Sequence, residues 1–363
     1  MVVANEVLSD EPPLRDDLRG RTPYGAPQVE ASARLNTNEN PYPPSPRLVR
    51  AIADAVAAEA AGLNRYPDRD AIALRGDLAA YLGHGLTVGQ VWAANGSNEV
   101  IQQIFQAYGG PGRSALGFEP SYSMHSIIAK TASTEWIGTP RAEDFGVDAD
   151  RALAAISRYQ PDLVFLTSPN NPTGTAMSLD VIDQVCQAAP GIVVIDEAYA
   201  EFARDPAGTA LTLLPKYSRL IVTRTMSKAF ALAGGRIGYL AADRRIVDGL
   251  QIVRLPYHLS SLTQVVGRVA LAHSAELLAN VAAISADRDD LVTWFRDHKF
   301  EVAESDTNFV LFGLFEGRHA VWQALLDRGV LVREVGPPGW LRVSIGTPEE
   351  NEQFKQALLA VLA

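Results

Sequence analysis

The sequence predicts an α/β protein: a large domain with a mostly parallel central sheet flanked by helices, plus a smaller α+β domain. Three observations predict it. From residue 91, short apolar runs rich in Val, Ile and Leu alternate with helical patterns, the order that builds a parallel sheet covered on both faces. Past about residue 260 that alternation gives way to long Ala/Leu/Val-rich helical stretches. A chain of 363 residues, 47% of them hydrophobic, can bury one large core and one smaller one.

Residues 1–35 are polar and turn-rich, with Pro12, Pro13, Pro23 and Pro27, and read as an arm. Ser45-Pro46 supplies a cap and a first-turn proline for a helix over Arg47–Glu59. A second amphipathic helix is expected over Asp70–Leu82. The alternating region then predicts strands at Val91–Ala94, Ser114–Phe118, Leu163–Thr167, Ile192–Asp196, Leu220–Thr223 and Ile237–Ala241. Helices are expected at Asn98–Tyr108, Tyr122–Thr131 and Leu179–Ala189. These make residues 36–260 the large domain. Residues 261–363, joined by part of the N-terminal segment, make the small one. There the helical pattern runs to His298, strands follow at Phe309–Phe312, Val330–Glu334 and Leu341–Ile345, and a helix lies between them. Thr347-Pro348-Glu349-Glu350 is a capping box that opens the last helix.

The formal charge of -10 argues against a nucleic-acid partner, whose phosphates attract faces rich in Lys and Arg. Cys186 is the only cysteine, so no internal disulfide or cysteine-cluster metal site is expected. It reads as a small buried residue. The six histidines show no metal-ligand spacing, and His258 reads as structural. No stretch approaches about 18 uncharged apolar residues, so no membrane span is expected. The acidic N-terminus, with Glu6, Asp10, Glu11, Asp16 and Asp17, lacks the basic start of a signal peptide. A cytoplasmic protein is the expectation.

The chemistry concentrates after the predicted strands. Lys228, in Thr225-Met226-Ser227-Lys228, follows Leu220-Ile221-Val222, and Arg236 lies eight residues further on. Asp196 and Tyr199 follow Ile192-Val193-Val194-Ile195, and the string SPNNPTG occupies residues 168–174. In parallel sheets ligands gather at these carboxyl ends. An amide, a carboxylate, a phenol, an amine and an arginine, following strand-like runs in this chain order, are the groups needed to hold pyridoxal phosphate and use it. Lys228 is the amine to condense with it, since a lysine near other cations has its pKa lowered; alone, a lysine after a strand is ordinarily a solvated surface residue. Asp196 suits the pyridine nitrogen, where a carboxylate keeps the ring electron-withdrawing, or it caps the following helix. Tyr199 and Asn171 suit the phenolic oxygen, although NPTG also reads as a plain tight turn. For the phosphate, Gly96-Ser97-Asn98-Glu99 opens a helix whose N–H groups point outward, so Ser97 and Asn98 are candidates. Thr225 and Ser227 add hydroxyls, and Arg236 adds a charged fork. Tyr122 suits stacking on the ring or core packing.

In SPNNPTG, Asp196-Glu197-Ala198-Tyr199 and Ser227-Lys228 with Arg236, the chain resembles the fold-type I pyridoxal-phosphate aminotransferases over nearly its whole length. Within them it is most similar to the histidinol-phosphate branch, of actinobacterial type. Leu35-Asn36-Thr37-Asn38-Glu39-Asn40-Pro41, Arg65-Tyr66-Pro67-Asp68, Leu255-Pro256-Tyr257-His258-Leu259-Ser260-Ser261 and Leu341-Arg342-Val343-Ser344-Ile345-Gly346 carry that similarity. The resemblance implies ping-pong amino transfer between L-histidinol phosphate and 2-oxoglutarate in histidine biosynthesis. It implies a homodimer with shared active sites, Tyr66 reaching the neighbour's cofactor phosphate. It implies substrate-anion roles for Arg342 and Arg333. It also offers Tyr24 and Tyr257, with Asn171, as the lining of the substrate pocket. An aromatic amino-acid aminotransferase is the nearest rival. A phosphothreonine decarboxylase and a non-enzymatic regulator domain on the same fold stand further off; the sequence shows no basic helix-turn-helix for the latter.

Overall fold

The computed structural model describes residues 12–20, 22–205 and 208–362. Of the arm, residues 1–11 and 21 therefore lie outside the described residues. Among the described residues the largest sheet has seven strands: β2 (Val91–Ala94), β3 (Ser114–Glu119), β4 (Glu135–Pro140), β5 (Leu163–Thr167), β6 (Ile192–Asp196), β7 (Leu220–Thr225) and β8 (Gly238–Ala242). They lie in the order β2-β8-β7-β6-β5-β3-β4. Only β8 runs against the others, pairing antiparallel with β2 and β7. The apolar runs form strands here because both faces are buried. Along β5, Leu163 and Phe165 enter one core cluster, and Val164 and Leu166 enter the cluster on the opposite face.

Helices cover both faces. They are α1 (Pro46–Ala60), α2 (Ile72–Leu82), α3 (Ser97–Tyr108), α4 (Met124–Thr131), α5 (Ala149–Tyr159), α6 (Leu179–Ala188) and α7 (Arg244–Val253). Ser45 caps α1 by accepting the Leu48 N–H, as Ser45-Pro46 predicts. The second helix starts two residues later than expected, because Asp68 accepts the N–H groups of both Asp70 and Ile72 and holds that segment as a turn. In the seven-stranded sheet and the helices that cover it, three elements lie where the sequence reading places none. Strand β4 is an edge strand with no fully buried residue, so it lacks an apolar run. Helices α5 and α7 are capped by Asp148 and Asp243, which accept the N–H groups of Arg151 and Arg245.

The C-terminal third holds α8 (Ser261–Ala272) and α9 (Ser274–Asp297), broken at His273 by a 71° bend. Then come β9 (Glu301–Val302), β10 (Phe309–Gly313), α10 (Arg318–Leu326), β11 (Val330–Leu331), β12 (Trp340–Ser344) and α11 (Pro348–Leu362). The expected strand Val330–Glu334 shrinks to β11, which pairs in parallel with β1 (Ala33–Arg34), and to a bridge between Arg333 and Arg342. The predicted capping box forms: the Glu350 N–H reaches Thr347 Oγ1, and the Thr347 N–H reaches Glu350 Oε2. No single helix among the described residues is long and apolar enough to cross a membrane.

Through β1 the N-terminal segment is carried across the C-terminal third. Leu35 then bonds Leu331 on one side and Ser344 on the other. Residues 36–39 emerge from that pairing beside the carboxyl ends of β5, β6 and β7.

Candidate active site

The carboxyl ends of the parallel strands open into a cavity of about 460 Å³. Every candidate site residue named above lines it except Tyr66 and Tyr257. The topology accounts for the convergence. Chain segments leaving β2, β3, β5, β6 and β7 all turn at this edge, and β8 enters from it.

One end of the cavity is built for an anion. Helix α3 begins at Ser97; the Glu99 and Val100 N–H groups turn back to the Gly96 carbonyl, which leaves those of Ser97 and Asn98 for a ligand, and the helix dipole favours negative charge there. Ser227 donates its backbone N–H to Thr225 Oγ1 at 3.1 Å, which folds both hydroxyls into one corner. The Arg236 guanidinium lies against Gly96, whose φ is +83°. A Cβ on Gly96 would overlap that guanidinium, and a Cβ on Gly238 would overlap the Gly96–Ser97 backbone. Both glycines leave a cradle that side chains would fill.

At the floor stands Asp196, 2% exposed. Its Oδ1 accepts the Ala198 N–H and the Thr223 hydroxyl, each at 3.2 Å. Its Oδ2 lies 3.0 Å from Nε2 of His125, itself fully buried. Asp196 thus binds one backbone N–H of the following turn and still faces the cavity. Tyr122 lines the wall, donates its hydroxyl to Asn98 Oδ1 at 3.2 Å, and meets the His125 ring edge-on. Burial pushes its phenol pKa up.

Lys228 projects into the centre. Its Nζ donates to the Thr37 carbonyl at 3.0 Å. Desolvation, then the nearby Arg342 charge and to a smaller extent that of Arg236, push its pKa down to about 8 against an opposing pull from Glu39. Tyr199 is buried beside it, its hydroxyl pushed up to about 12 by burial.

Two arginines face the opposite end. Arg333 and Arg342 exchange backbone hydrogen bonds across an antiparallel bridge, each 2.9 Å, so their side chains leave on one side. Arg342 donates Nη1 to Asn171 Oδ1 at 2.6 Å and Nη2 to the Asn36 carbonyl at 2.8 Å. Its Nε is buried without a partner, and burial lowers its pKa to about 10. Arg333 bonds the Gly25 carbonyl at 3.1 Å and sits 5.9 Å from the Tyr24 ring centre.

Tyr257 does not line the cavity of its own chain. The backbone at φ +56° turns its ring outward, 40% exposed, onto the ring of Tyr66 at 4.4 Å. Tyr66, 79% exposed, is outside the lining of this chain's own cavity. His258 packs on Trp92, with Nε2 at 2.9 Å from the Ala93 carbonyl, which fits its structural reading. Cys186 is buried and its thiol is pushed up to about 12 by burial. The sequence reading misses His125, Thr223 and the Asn36-Thr37-Asn38 strap. Only the three-residue spacing of His125 from Tyr122, just past a strand, gives a local signal for any of them.

The residues present suit pyridoxal phosphate. A phosphate cradle kept open by two glycines, a buried carboxylate, a lysine of lowered pKa and a buried, part-unsatisfied arginine lie in one cavity.

Known proteins agree. Residues 32–358 match the family model for aminotransferase class I and II. The chain is 64% identical over 350 residues to the histidinol-phosphate aminotransferase of Thermobifida fusca (strain YX), covering 96% of this chain and 95% of that one. It is 53% identical to the enzyme of the same name from Corynebacterium diphtheriae, over 95% of each chain. The crystal structure of histidinol-phosphate aminotransferase from Sinorhizobium meliloti in complex with pyridoxal-5'-phosphate superposes with a TM-score of 0.85 at 24% identity, over 98% of both chains, and so shares the fold. The chain belongs to the class I and II aminotransferases and, within them, to the histidinol-phosphate aminotransferase family.

Proposed function

We propose that the protein transfers an amino group from L-histidinol phosphate to 2-oxoglutarate, giving imidazole acetol phosphate and L-glutamate, as a step in histidine biosynthesis. The names of its relatives support the reading. The observation that carries it here is the arginine pair. Histidinol phosphate offers a phosphate where glutamate offers a carboxylate, and a guanidinium fork receives either group. Arg342, with an unpartnered buried Nε, and Arg333 beside it form an anion site separate from the phosphate cradle. The two donors can therefore use one pocket in turn.

Bound pyridoxal phosphate supplies the electron withdrawal that makes the substrate carbon acidic. In this reading Ser97, Asn98, Thr225, Ser227 and Arg236 hold its phosphate. Asp196 holds a proton on its ring nitrogen, and Tyr199 with Asn171 hold its phenolic oxygen. Tyr122 covers a ring face. Lys228 Nζ anchors the cofactor and then carries the proton at the reacting carbon, for which a pKa near 8 is suited. Tyr24 and Arg333 close the substrate end.

The active unit in this reading is a homodimer. Tyr66 and Tyr257 form an exposed stacked pair outside the lining of this chain's cavity, which supports a role for Tyr66 in the neighbour's.

The test is a donor panel. Wild type should prefer histidinol phosphate in kcat/KM over unphosphorylated histidinol and phenylalanine. Arg333→Ala should lower kcat/KM for the phosphorylated donor by roughly ten- to a hundredfold, the range for one charge-assisted contact, and affect phenylalanine less. Wild type using phenylalanine as well as histidinol phosphate would replace this reading with an aromatic amino-acid aminotransferase.

A further inference from the structure

Three consecutive residues of the N-terminal strap each hold one side chain of the cavity. The Asn36 carbonyl takes Arg342 Nη2 at 2.8 Å, the Thr37 carbonyl takes Lys228 Nζ at 3.0 Å, and Asn38 Nδ2 donates to the Tyr199 hydroxyl at 2.9 Å. The first two contacts use backbone carbonyls, which any residue supplies. The third needs the Asn38 side chain.

Asn38 is fixed on every side. It is 2% exposed and sits at φ +56°, a conformation that Asn, Asp and Gly tolerate best. Its N–H donates to Ser344 Oγ at 2.9 Å, and its carbonyl takes Asn308 Nδ2 at 3.0 Å. Because Ser344 Oγ accepts that N–H, its own proton goes to Asn38 Oδ1, also at 2.9 Å. The orientation of the amide follows: the oxygen faces Ser344, and the NH₂ faces Tyr199. A second donor, Asn171 Nδ2, reaches the same phenol only at 3.5 Å.

We propose that Asn38 is a positioning residue for the aminotransferase reaction: its amide occupies a lone pair of the Tyr199 oxygen, so the phenol's single proton is turned into the cavity. The phenol then acts on the cofactor as a donor only. Asn38 also makes it a better one, since a donor on a phenol oxygen favours loss of the phenol proton. It pulls against the burial that raises the Tyr199 pKa. The inference depends on the cofactor, not on which amine is the substrate.

The experiment titrates the visible absorbance of the cofactor bound to the holoenzyme against pH. A weaker donor at the phenolic oxygen leaves more charge there, and the chromophore then keeps its proton to higher pH. Asn38→Gly tolerates the backbone and removes the amide without adding charge. It should raise the titration midpoint by about half to one pH unit, the size of one hydrogen bond. It should lower kcat more than it raises KM. In the Tyr199→Phe background the same substitution should leave the midpoint where Tyr199→Phe alone puts it. Asn38→Asp keeps the backbone and the Ser344 bond but turns the donor into an acceptor. It should shift the midpoint further with Tyr199 present than in the Tyr199→Phe background, and it provides the test if the glycine variant does not fold. An unchanged midpoint in both variants overturns the proposal. So does an equal shift with and without the Tyr199 hydroxyl, since Asn38 would then act only on the scaffold.

Discussion

The ammonium form of Lys228 is disfavoured by its surroundings, and that has consequences measurable without substrate. The unfolded chain takes up a proton on this lysine near its ordinary 10.5; in the folded protein uptake waits until about 8. Between those values the unfolded state binds more protons, so the cofactor-free protein should lose stability as pH falls from about 10.5 to about 8, and lose no more from this group below that. Denaturation midpoints across this window, compared with Lys228→Met, check the sign; a variant that tracks the wild type would show that the amine is not perturbed. The same shift should place the midpoint for reaction of Lys228 with added cofactor near pH 8, and borohydride should fix that cofactor on Lys228 and no other lysine. Asp196 gives a second test. Its carboxylate collects donors from Ala198, Thr223 and His125, an arrangement built for a charge rather than for a helix cap alone. Asp196→Ala should still bind cofactor and transfer amino groups very slowly, whereas Asp196→Glu should keep more activity. Single-turnover reaction with donor separates them, and wild-type rates in Asp196→Ala would leave the residue a cap.

The turn between β2 and α3 depends on two glycines that meet from different parts of the chain. Gly96 holds φ +83° under the Arg236 guanidinium, and Gly238, at the start of β8, packs on the Gly96–Ser97 backbone. Gly96→Ala adds a left-handed backbone cost of roughly 1–2 kcal/mol and displaces Arg236. Cofactor affinity, measured by equilibrium dialysis, should fall at least about tenfold. Unchanged affinity would place the cofactor phosphate elsewhere. Only part of this design was legible in the sequence. Strands β5, β6 and β7 are continuous apolar runs because both of their faces are buried, and so they and the residues after them could be read directly. Strand β4 lies at the sheet edge and carries no such run. His125 meets Asp196 across 71 positions, and Asn38 meets Tyr199 across 161. No local spacing encodes such pairs, so they appear only once the strap and the sheet are folded together. The direction of the Tyr257 ring is hidden for a related reason: its string is family-like, but its positive φ decides which way the ring points.

One chain leaves Tyr66 without a role. It is 79% exposed and stacked on Tyr257, and Leu63, Ile72, Ile252 and Leu255, close to one or the other in sequence, are each at least half exposed. Exposed apolar side chains are what an association surface buries, and the proposed homodimer would cover the pair while bringing Tyr66 to the neighbour's phosphate cradle. A symmetric pair would then contain two sites, each assembled from Lys228 of one subunit and Tyr66 of the other. That arrangement predicts a particular arithmetic for mixed dimers. Lys228→Ala and Tyr66→Phe homodimers are each impaired at both sites. In a mixed dimer, one site receives its lysine from the Tyr66→Phe subunit and its tyrosine from the Lys228→Ala subunit, and so carries neither lesion; the other site carries both. Mixing the two variants under conditions of confirmed subunit exchange should restore activity toward a quarter of the wild-type value, because about half of randomly paired dimers are mixed and each has one intact site. If each subunit instead supplied its own Tyr66, every site in the mixture would keep one lesion, and activity would stay at the average of the two parents.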